Sequence, residues 1–225
     1  ALDLSRQLAG RSWPVAVEIT GPFWQLREWV GFERLCLLFY DDPGLLRDML
    51  QFWSDFVARV LERALAVFVL DEIHVTEDMA FKGHAMISPA HVREHLLPVW
   101  RRWGEIVHAA GCPVYAMDSD GFIGDLVGLW VEAGLNVCDP VEVAAGNDIV
   151  ALRRRFGKSM AFRAGVDKRC LARGGEATVR EIARLQPVID GGGFIPGCDH
   201  GVPPDISWPN FIEYARLLAQ LTRWL

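Results

Sequence analysis

Residues 113–139, PVYAMDSDGFIGDLVGLWVEAGLNVCD, decide the fold because they hold a strand, a helix and a second strand in succession. Pro113–Met117 is a short apolar run, which predicts a buried strand. Phe122–Ala133 carries apolar residues at helical spacing and ends at Gly134. Leu135–Cys138 is the next short apolar run. This order is typical of a parallel sheet covered by helices.

The same alternation extends to both sides of this stretch. Further strands are predicted at Val15–Thr20, Ala66–Val75, Met160–Ala164 and Gly193–Pro196. Further helices are predicted at Phe23–Leu37, Asp42–Ala64, Ser88–Ala110, Asn147–Phe156, Glu176–Leu185 and Trp208–Leu225. The pattern therefore contains six strand–helix units, which fit either a doubly wound open sheet or a (β/α)8 barrel. No G-x-G-x-x-G follows a strand, so the dinucleotide-binding fingerprint is absent.

Polar residues at the carboxyl ends of the strands favour the barrel, because all such loops of a barrel converge on one face. These residues are Glu77 and Asp78, Asp118 and Asp120, Asp139 and Glu142, Asp167, and Cys198 to His200. We expect one α/β domain over residues 1–225, of the (β/α)8 TIM-barrel type. Six strand–helix units are too few to close an eight-stranded barrel, so the first strand–helix units are expected to be missing.

The composition excludes several classes of protein. The chain of 225 residues is 51% hydrophobic and 23% charged, unlike disordered or disulfide-stapled chains. Its net charge of −6 argues against partnership with nucleic acid or an acidic membrane surface. No apolar run is long enough to span a bilayer. The five cysteines are widely spaced without a CxxC pair, which indicates reduced thiols, mostly buried, and a cytoplasmic protein.

Residues 193–205, GFIPGCDHGVPPD, place a thiol, a carboxylate and an imidazole side by side between glycines and prolines. Cys198 and His200 could reach one metal ion or one substrate from such a rigid loop. A tight turn with a buried cysteine and a helix-capping Asp199 is an equally good interpretation of the bare pattern.

This loop resembles the last active-site loop of the uroporphyrinogen decarboxylase superfamily. Other similar segments are Glu77-Asp78-Met79-Ala80 with Ile87-Ser88-Pro89, Asp118-Ser119-Asp120-Gly121, and Gly165-Val166-Asp167. The resemblance runs from about Gly21 to the last helix and implies a (β/α)8 barrel. The superfamily contains porphyrinogen decarboxylases and zinc methyltransferases that exchange methyl groups with corrinoid proteins or thiols.

Compared with the decarboxylases, the chain matches at His200 and departs at two positions. Trp29 stands where the family has tyrosine, and Asp78 stands where it has serine. The resemblance implies catalytic roles for His200, Glu77 and Asp78. It implies that Trp29 and Asp167 contact substrate, and Arg163 could bind a substrate carboxylate.

Compared with the methyltransferases, Cys198 matches the zinc-binding cysteine of the last loop. Asp118 and Asp120 replace the His-x-Cys pair that supplies the other two ligands. The resemblance implies a metal site at Asp118, Asp120 and Cys198, with His200 or Glu77 as a fourth ligand. The metal would be zinc or another divalent ion.

Three functions remain open from the sequence. The first is metal-assisted methyl transfer involving a thiol, a corrinoid protein with its bound cofactor, or a folate. The second is decarboxylation of uroporphyrinogen or a related carboxylate. The third is a degenerate barrel that binds a partner without catalysis. A small-molecule substrate and a homo-oligomer are also expected.

Structural roles compete with these assignments. Asp118 and Asp120 could cap the helix predicted at Phe122. His74 is expected to be a core histidine, and Arg163 to pair with Asp139 if it does not hold substrate. Surface positions are expected for the remaining histidines outside the last loop, which are His84, His91, His95 and His108.

Overall fold

A computed structural model describes residues 10–224. Its main sheet has six parallel strands in the order β1-β2-β5-β6-β7-β8. The strands are β1 Ala16–Thr20, β2 Glu72–Thr76, β5 Val114–Asp118, β6 Val137–Val141, β7 Ala161–Val166 and β8 Phe194–Cys198. A two-stranded antiparallel hairpin, β3 Ala80–Phe81 with β4 His84–Ala85, follows β2.

Helices connect the strands. They are α1 Pro22–Val30, α2 Phe32–Asp41, α3 Pro43–Leu65, α4 Pro89–His91, α5 Leu97–Ala109, α6 Val127–Glu132, α7 Ile149–Phe156, α8 Lys168–Arg173, α9 Glu176–Arg184, α10 Gln186–Asp190 and α11 Trp208–Leu221. A π-helical turn, Val92–Leu96, lies between α4 and α5, and a 3-10 turn, Val143–Ala145, follows β6.

All six predicted strands are present, although β2 begins later than predicted. Residues 66–71 form a turn after α3 instead of the first part of a strand. The helix predicted over Phe23–Leu37 is two helices, because Gly31 adopts a positive φ of 83° that only glycine takes readily. Asp42 caps α3 by accepting a hydrogen bond from the Leu45 amide, as predicted.

The sheet is strongly curved, as a barrel requires. On β2, Ile73 and Val75 are fully buried in the apolar core, while Glu72 and His74 alternate with them on the other face. Arg163 on β7 donates to both carboxylate oxygens of Glu72, at 2.8 and 2.5 Å. In a flat sheet, strands three places apart are separated by about 14 Å. The ion pair therefore crosses a concave surface, and the fold is α/β of the TIM-barrel type.

The strand order leaves two edges among the described residues, at β1 and β8. Each of these strands pairs there with one neighbour. This agrees with the expectation of an incomplete barrel, whose open edges need a covering segment or partner.

The core between sheet and helices is rich in aromatic residues. Trp100, Trp103 and Trp130 are fully buried. Cys112 and Cys138 are buried free thiols, whereas Cys36, Cys170 and Cys198 are half-buried free thiols. Among residues 10–224, no helix combines the length and apolar character that a membrane crossing needs.

Candidate functional site

A polar cavity of about 400 Å³ lies at the carboxyl end of the parallel strands. Its walls come from β2, β5, β6, β7, β8 and the loops that follow β2, β5 and β8. They are lined by His74, Asp78, Asp118, Asp120, Asp139, Pro140, Ala164, Cys198, His200 and Gly201. The sequence thus correctly predicted that several strand-end residues meet on one face.

Three carboxylates form the centre of this cavity. One oxygen from each of Asp78, Asp118 and Asp120 lies within 4.8 Å of the others. Asp118 ends β5, beside Asp139 of β6 in the strand register. Neither Asp118 nor Asp120 caps a helix, because α6 begins only at Val127 and has no side-chain cap.

The backbone around Asp78 and Asp120 is fixed by a dense set of hydrogen bonds. The Asp120 amide donates to the Asp78 carboxylate at 3.1 Å, and Arg27 donates to the Asp78 carbonyl at 3.2 Å. Asp78 has a φ of 42°, in the left-handed region that costs free energy for residues other than glycine. The buried Ser119 hydroxyl accepts from the Met79 amide at 3.0 Å, which ties the two loops together.

The electrostatics favour a cation in the cavity. Burial raises the pKa of Asp120, and neighbouring Asp78 raises it further. Burial also raises the pKa of Asp139, although Arg163 opposes this. A raised pKa indicates that too few cations and hydrogen-bond donors surround a carboxylate to stabilise its negative charge. A divalent cation in the cavity would provide that stabilisation.

His200 lies at the mouth of the cavity. Its Nε2 is 3.2 Å from Asp120 Oδ2, and its side chain is about half exposed. Cys198 lines the same cavity, but its sulfur is not part of the carboxylate group that fits one ion. Burial raises the pKa of the Cys198 thiol. Of the three predicted ligands, Asp118 and Asp120 cluster with Asp78, whereas Cys198 lies outside that cluster.

His74 belongs to this cavity and is not the core histidine that was expected. Its Nε2 lies 4.0 Å from Asp118, and its Nδ1 lies 3.0 Å from Glu72. Asp118 and Glu72 raise the pKa of His74 against the effect of burial. Period-two alternation with Glu72 along β2 was a signal that placed both residues on the concave face.

Glu77 lies outside the cavity wall, fully buried beneath α1. Its carboxyl oxygens accept hydrogen bonds from the Trp24 amide at 3.0 Å and the Trp100 indole at 2.7 Å. Burial raises the pKa of Glu77 to about 8. A Cβ on Gly21 would lie 2.1 Å from the Glu77 carboxyl carbon, so glycine is needed there. Glu77 joins α1 to α5.

The three predicted substrate residues do not line the cavity. Trp29 packs against Phe52 and Trp53 between α1 and α3, with 43% of its surface exposed. Asp167 caps α8 and holds the Arg169 guanidinium. Arg163 has Glu72 as its main partner, and Asp139, the partner expected, is 3.9 Å away.

Asp199 also turns away from the cavity. It is fully buried and accepts from the amides of Ala144 and Lys168, so it fixes the loops after β6 and β7. Glu142, held by Lys168 at 3.0 Å, accepts from the Gly121 amide and supports the loop that carries Asp120. These supporting roles depend on long-range contacts that no local sequence pattern reveals.

Comparisons with known proteins agree with this architecture. A family model described as uroporphyrinogen decarboxylase (URO-D) matches residues 1–217. A comparison with curated protein sequences gave no match. Among solved structures, a methyltransferase from Methanosarcina mazei is similar, with a TM-score of 0.68 and 16% sequence identity. The match covers 97% of this chain and 62% of that one, and at this identity it shows a shared fold.

Proposed function

The chain belongs to the uroporphyrinogen decarboxylase (URO-D) family, and on that premise we propose that it is a metal-assisted methyltransferase. The methyl group would pass between a thiol and a corrinoid protein or a folate. The observation that carries this proposal is the convergence of Asp78, Asp118 and Asp120 on one point of a strand-end cavity. Strand-end cavities are where barrel enzymes place their chemistry.

The donor atoms indicate the kind of metal. Three carboxylates offer hard oxygen ligands, which suit Mg²⁺ or Mn²⁺ better than a thiolate-bound zinc. The thiolate zinc centre of the related methyltransferases does not fit these residues, because only one cysteine lines the cavity and it lies outside the cluster. A divalent cation held by the three carboxylates would lower the pKa of a thiol or water bound to it.

The charge of the cavity argues against decarboxylation of a porphyrinogen. The walls carry four aspartates, and the described lining contains neither lysine nor arginine. Arg163, whose guanidinium lies 3.9 Å from Asp139 of the wall, is paired with Glu72. A substrate whose reacting part carries several carboxylates would be repelled, whereas a methyl donor whose reacting part is neutral or cationic would not.

Asp120 and His200 are placed to handle the proton of an incoming thiol. Methyl transfer to sulfur forms a carbon–sulfur bond while the bond from methyl to its donor breaks, and the thiol proton must leave. Asp120 Oδ2 orients the His200 imidazole, which can accept that proton as a general base. His200 Nε2, 3.2 Å from Asp120, can pass the proton to solvent.

A methyl-transfer assay with defined probes tests the function. Methylcobalamin and 5-methyltetrahydrofolate would serve as donors and 2-mercaptoethanol as acceptor, with and without Mn²⁺. We expect thioether formation that requires the ion and falls at least 100-fold in Asp120→Asn. Asp48→Asn, on the exposed face of α3, is the matched control and should keep the wild-type rate. Metal-independent turnover, or turnover of uroporphyrinogen in place of both methyl donors, would contradict the proposal.

A further inference from the structure

A second group of metal-competent side chains lies away from the strand-end cavity, where α4 passes into α5. The chain forms a π-helical turn over Val92–Leu96, a rare conformation that often occurs at functional sites. His91, Glu94 and His95 surround this turn, and one ligand atom from each lies within 4.8 Å of the other two. Their placement corrects the expectation of surface histidines, because His95 is buried and His91 half-buried.

The His95 side chain makes no hydrogen bond with any residue in the described part of the chain. Its side chain is only 6% exposed, and its Nε2 lies 3.8 Å from Glu94 Oε1, beyond hydrogen-bond distance. Its ring nitrogens are therefore free to bind an ion that enters from the cavity that His95 lines.

Aromatic rings from α2 hold both imidazoles in place. Tyr40 meets His91 edge to face, with ring centroids 4.9 Å apart. Phe39 meets His95 at 5.5 Å and His91 at 5.2 Å. These contacts restrict the orientations of both imidazoles before any ion binds. Ion binding therefore costs less side-chain entropy.

We propose that His91, Glu94 and His95 form a second metal site, for a borderline transition-metal ion such as Zn²⁺. Two imidazoles and one carboxylate are a ligand set that zinc uses in proteins. Zinc–ligand bonds of about 2.0–2.1 Å place neighbouring ligand atoms about 3.4 Å apart in a tetrahedron. The Glu94–His95 separation of 3.8 Å needs to close by only a few tenths of an ångström.

A solvent-filled cavity gives an ion access to this site. It has a volume of about 410 Å³, lies between α3 and α5, and is lined by Glu94 and His95. Arg102 also lines it but is engaged by Asp55 at 2.5 Å. Arg47 lines it as an exposed cation, and its charge opposes a metal ion. Arg47→Gln is therefore expected to tighten Zn²⁺ binding a few-fold, an effect that a purely structural cluster would not produce.

Zinc affinity, measured by competition with a chromophoric chelator, tests the proposal. The Asp118→Asn/Asp120→Asn double variant serves as the background, because it removes two of the three carboxylates of the strand-end cluster. We expect one Zn²⁺ per chain in this background, weakened about 10- to 100-fold by Glu94→Gln or His91→Asn. Glu105→Gln on α5 and His84→Asn on β4, both at exposed positions, are the matched controls and should bind like the background.

Two outcomes would contradict the second metal site. Loss of Zn²⁺ binding in the double-variant background would place the ion in the strand-end cavity and contradict a second site. Equal affinity in Glu94→Gln, His91→Asn and the controls would also contradict it. Because Glu94 is exposed, its replacement should leave the fold intact, and thermal unfolding in the absence of metal verifies this. The function proposed above can fail without affecting any of these results.

Discussion

Glu77 is a buried acid that carries no negative charge at neutral pH, because its pKa is raised from 4.5 to about 8. The native state therefore holds a proton that the unfolded chain releases above about pH 4.5. The stabilisation from this group is complete at low pH and is lost as the pH rises towards 8. The loss amounts to at most about 1.4 kcal/mol per pH unit between those values.

Glu77→Gln tests this interpretation at the scale of one residue. The amide cannot ionise, so the free energy of unfolding of the variant should fall less steeply between pH 6 and pH 8 than that of the wild type. Urea denaturation at several pH values gives both slopes, and Glu105→Gln at the surface is the control. Parallel slopes for wild type and Glu77→Gln would show that Glu77 is already ionised in the native protein.

At the scale of elements, the Arg163–Glu72 pair links β7 to β2 across the concave face of the sheet. Both side chains are largely shielded from water, with 25% of the Arg163 side chain and 15% of the Glu72 side chain exposed. Removing one partner leaves the other without its counter-charge at a site with little water. We expect Arg163→Met to lower the free energy of unfolding by roughly 2 kcal/mol, less than for a fully buried pair.

A double-mutant cycle separates this interaction from other effects of the substitution. Arg163→Met, Glu72→Gln and the combined variant should show a coupling of more than about 1 kcal/mol in chemical denaturation. Strictly additive effects would mean that the pair does not hold the two strands together.

The loop after β5 depends on the β3–β4 hairpin. Gly121 has a φ of 85°, and a Cβ there would lie 2.4 Å from the Ala80 carbonyl oxygen. We expect Gly121→Ala to displace Asp120 and to weaken divalent-cation binding at least 10-fold without removing a ligand. Gly157→Ala is the control, because Gly157 also has a positive φ but its Cβ would meet no atom within 4 Å.

Mn²⁺ titration of the two variants checks this prediction. If Gly121→Ala binds the ion as tightly as Gly157→Ala, the hairpin does not position the metal-binding loop. Both variants should lose some stability, since alanine is strained at a positive φ.

At the scale of the whole molecule, the strand–helix order and the strand-end site could be predicted from the sequence. Short apolar runs and helical periodicity are local signals that a sequence shows directly. Parallel strands bring their carboxyl ends to one edge of the sheet, whichever contacts their side chains make. Asp78, Asp118 and Asp120 were therefore expected on one face, although the predicted metal ligands were Asp118, Asp120 and Cys198. The wall position of His74 follows from the alternation along β2, whereas on β6 the consecutive residues Asp139 and Pro140 both line the cavity.

Other features depend on contacts between distant parts of the chain. Arg163 lies opposite Glu72 only because the sheet curls, and this curvature has no local signature. Glu77 and Asp199 resemble strand-end acids in the sequence, yet neighbouring elements bury both below the cavity. The π-helical turn that gathers His91, Glu94 and His95 lies inside a continuous helical pattern. Family resemblance located the loops but did not determine which side chains enter the cavity.

If three carboxylates make the strand-end cavity a divalent-cation site, isothermal titration calorimetry with Mn²⁺ will detect that binding. We expect the wild type and Asp48→Asn to bind one ion at this site. Binding should be at least 100-fold weaker in Asp118→Asn/Asp120→Asn. Equal Mn²⁺ affinity in all three proteins, or no binding by the wild type, would contradict it.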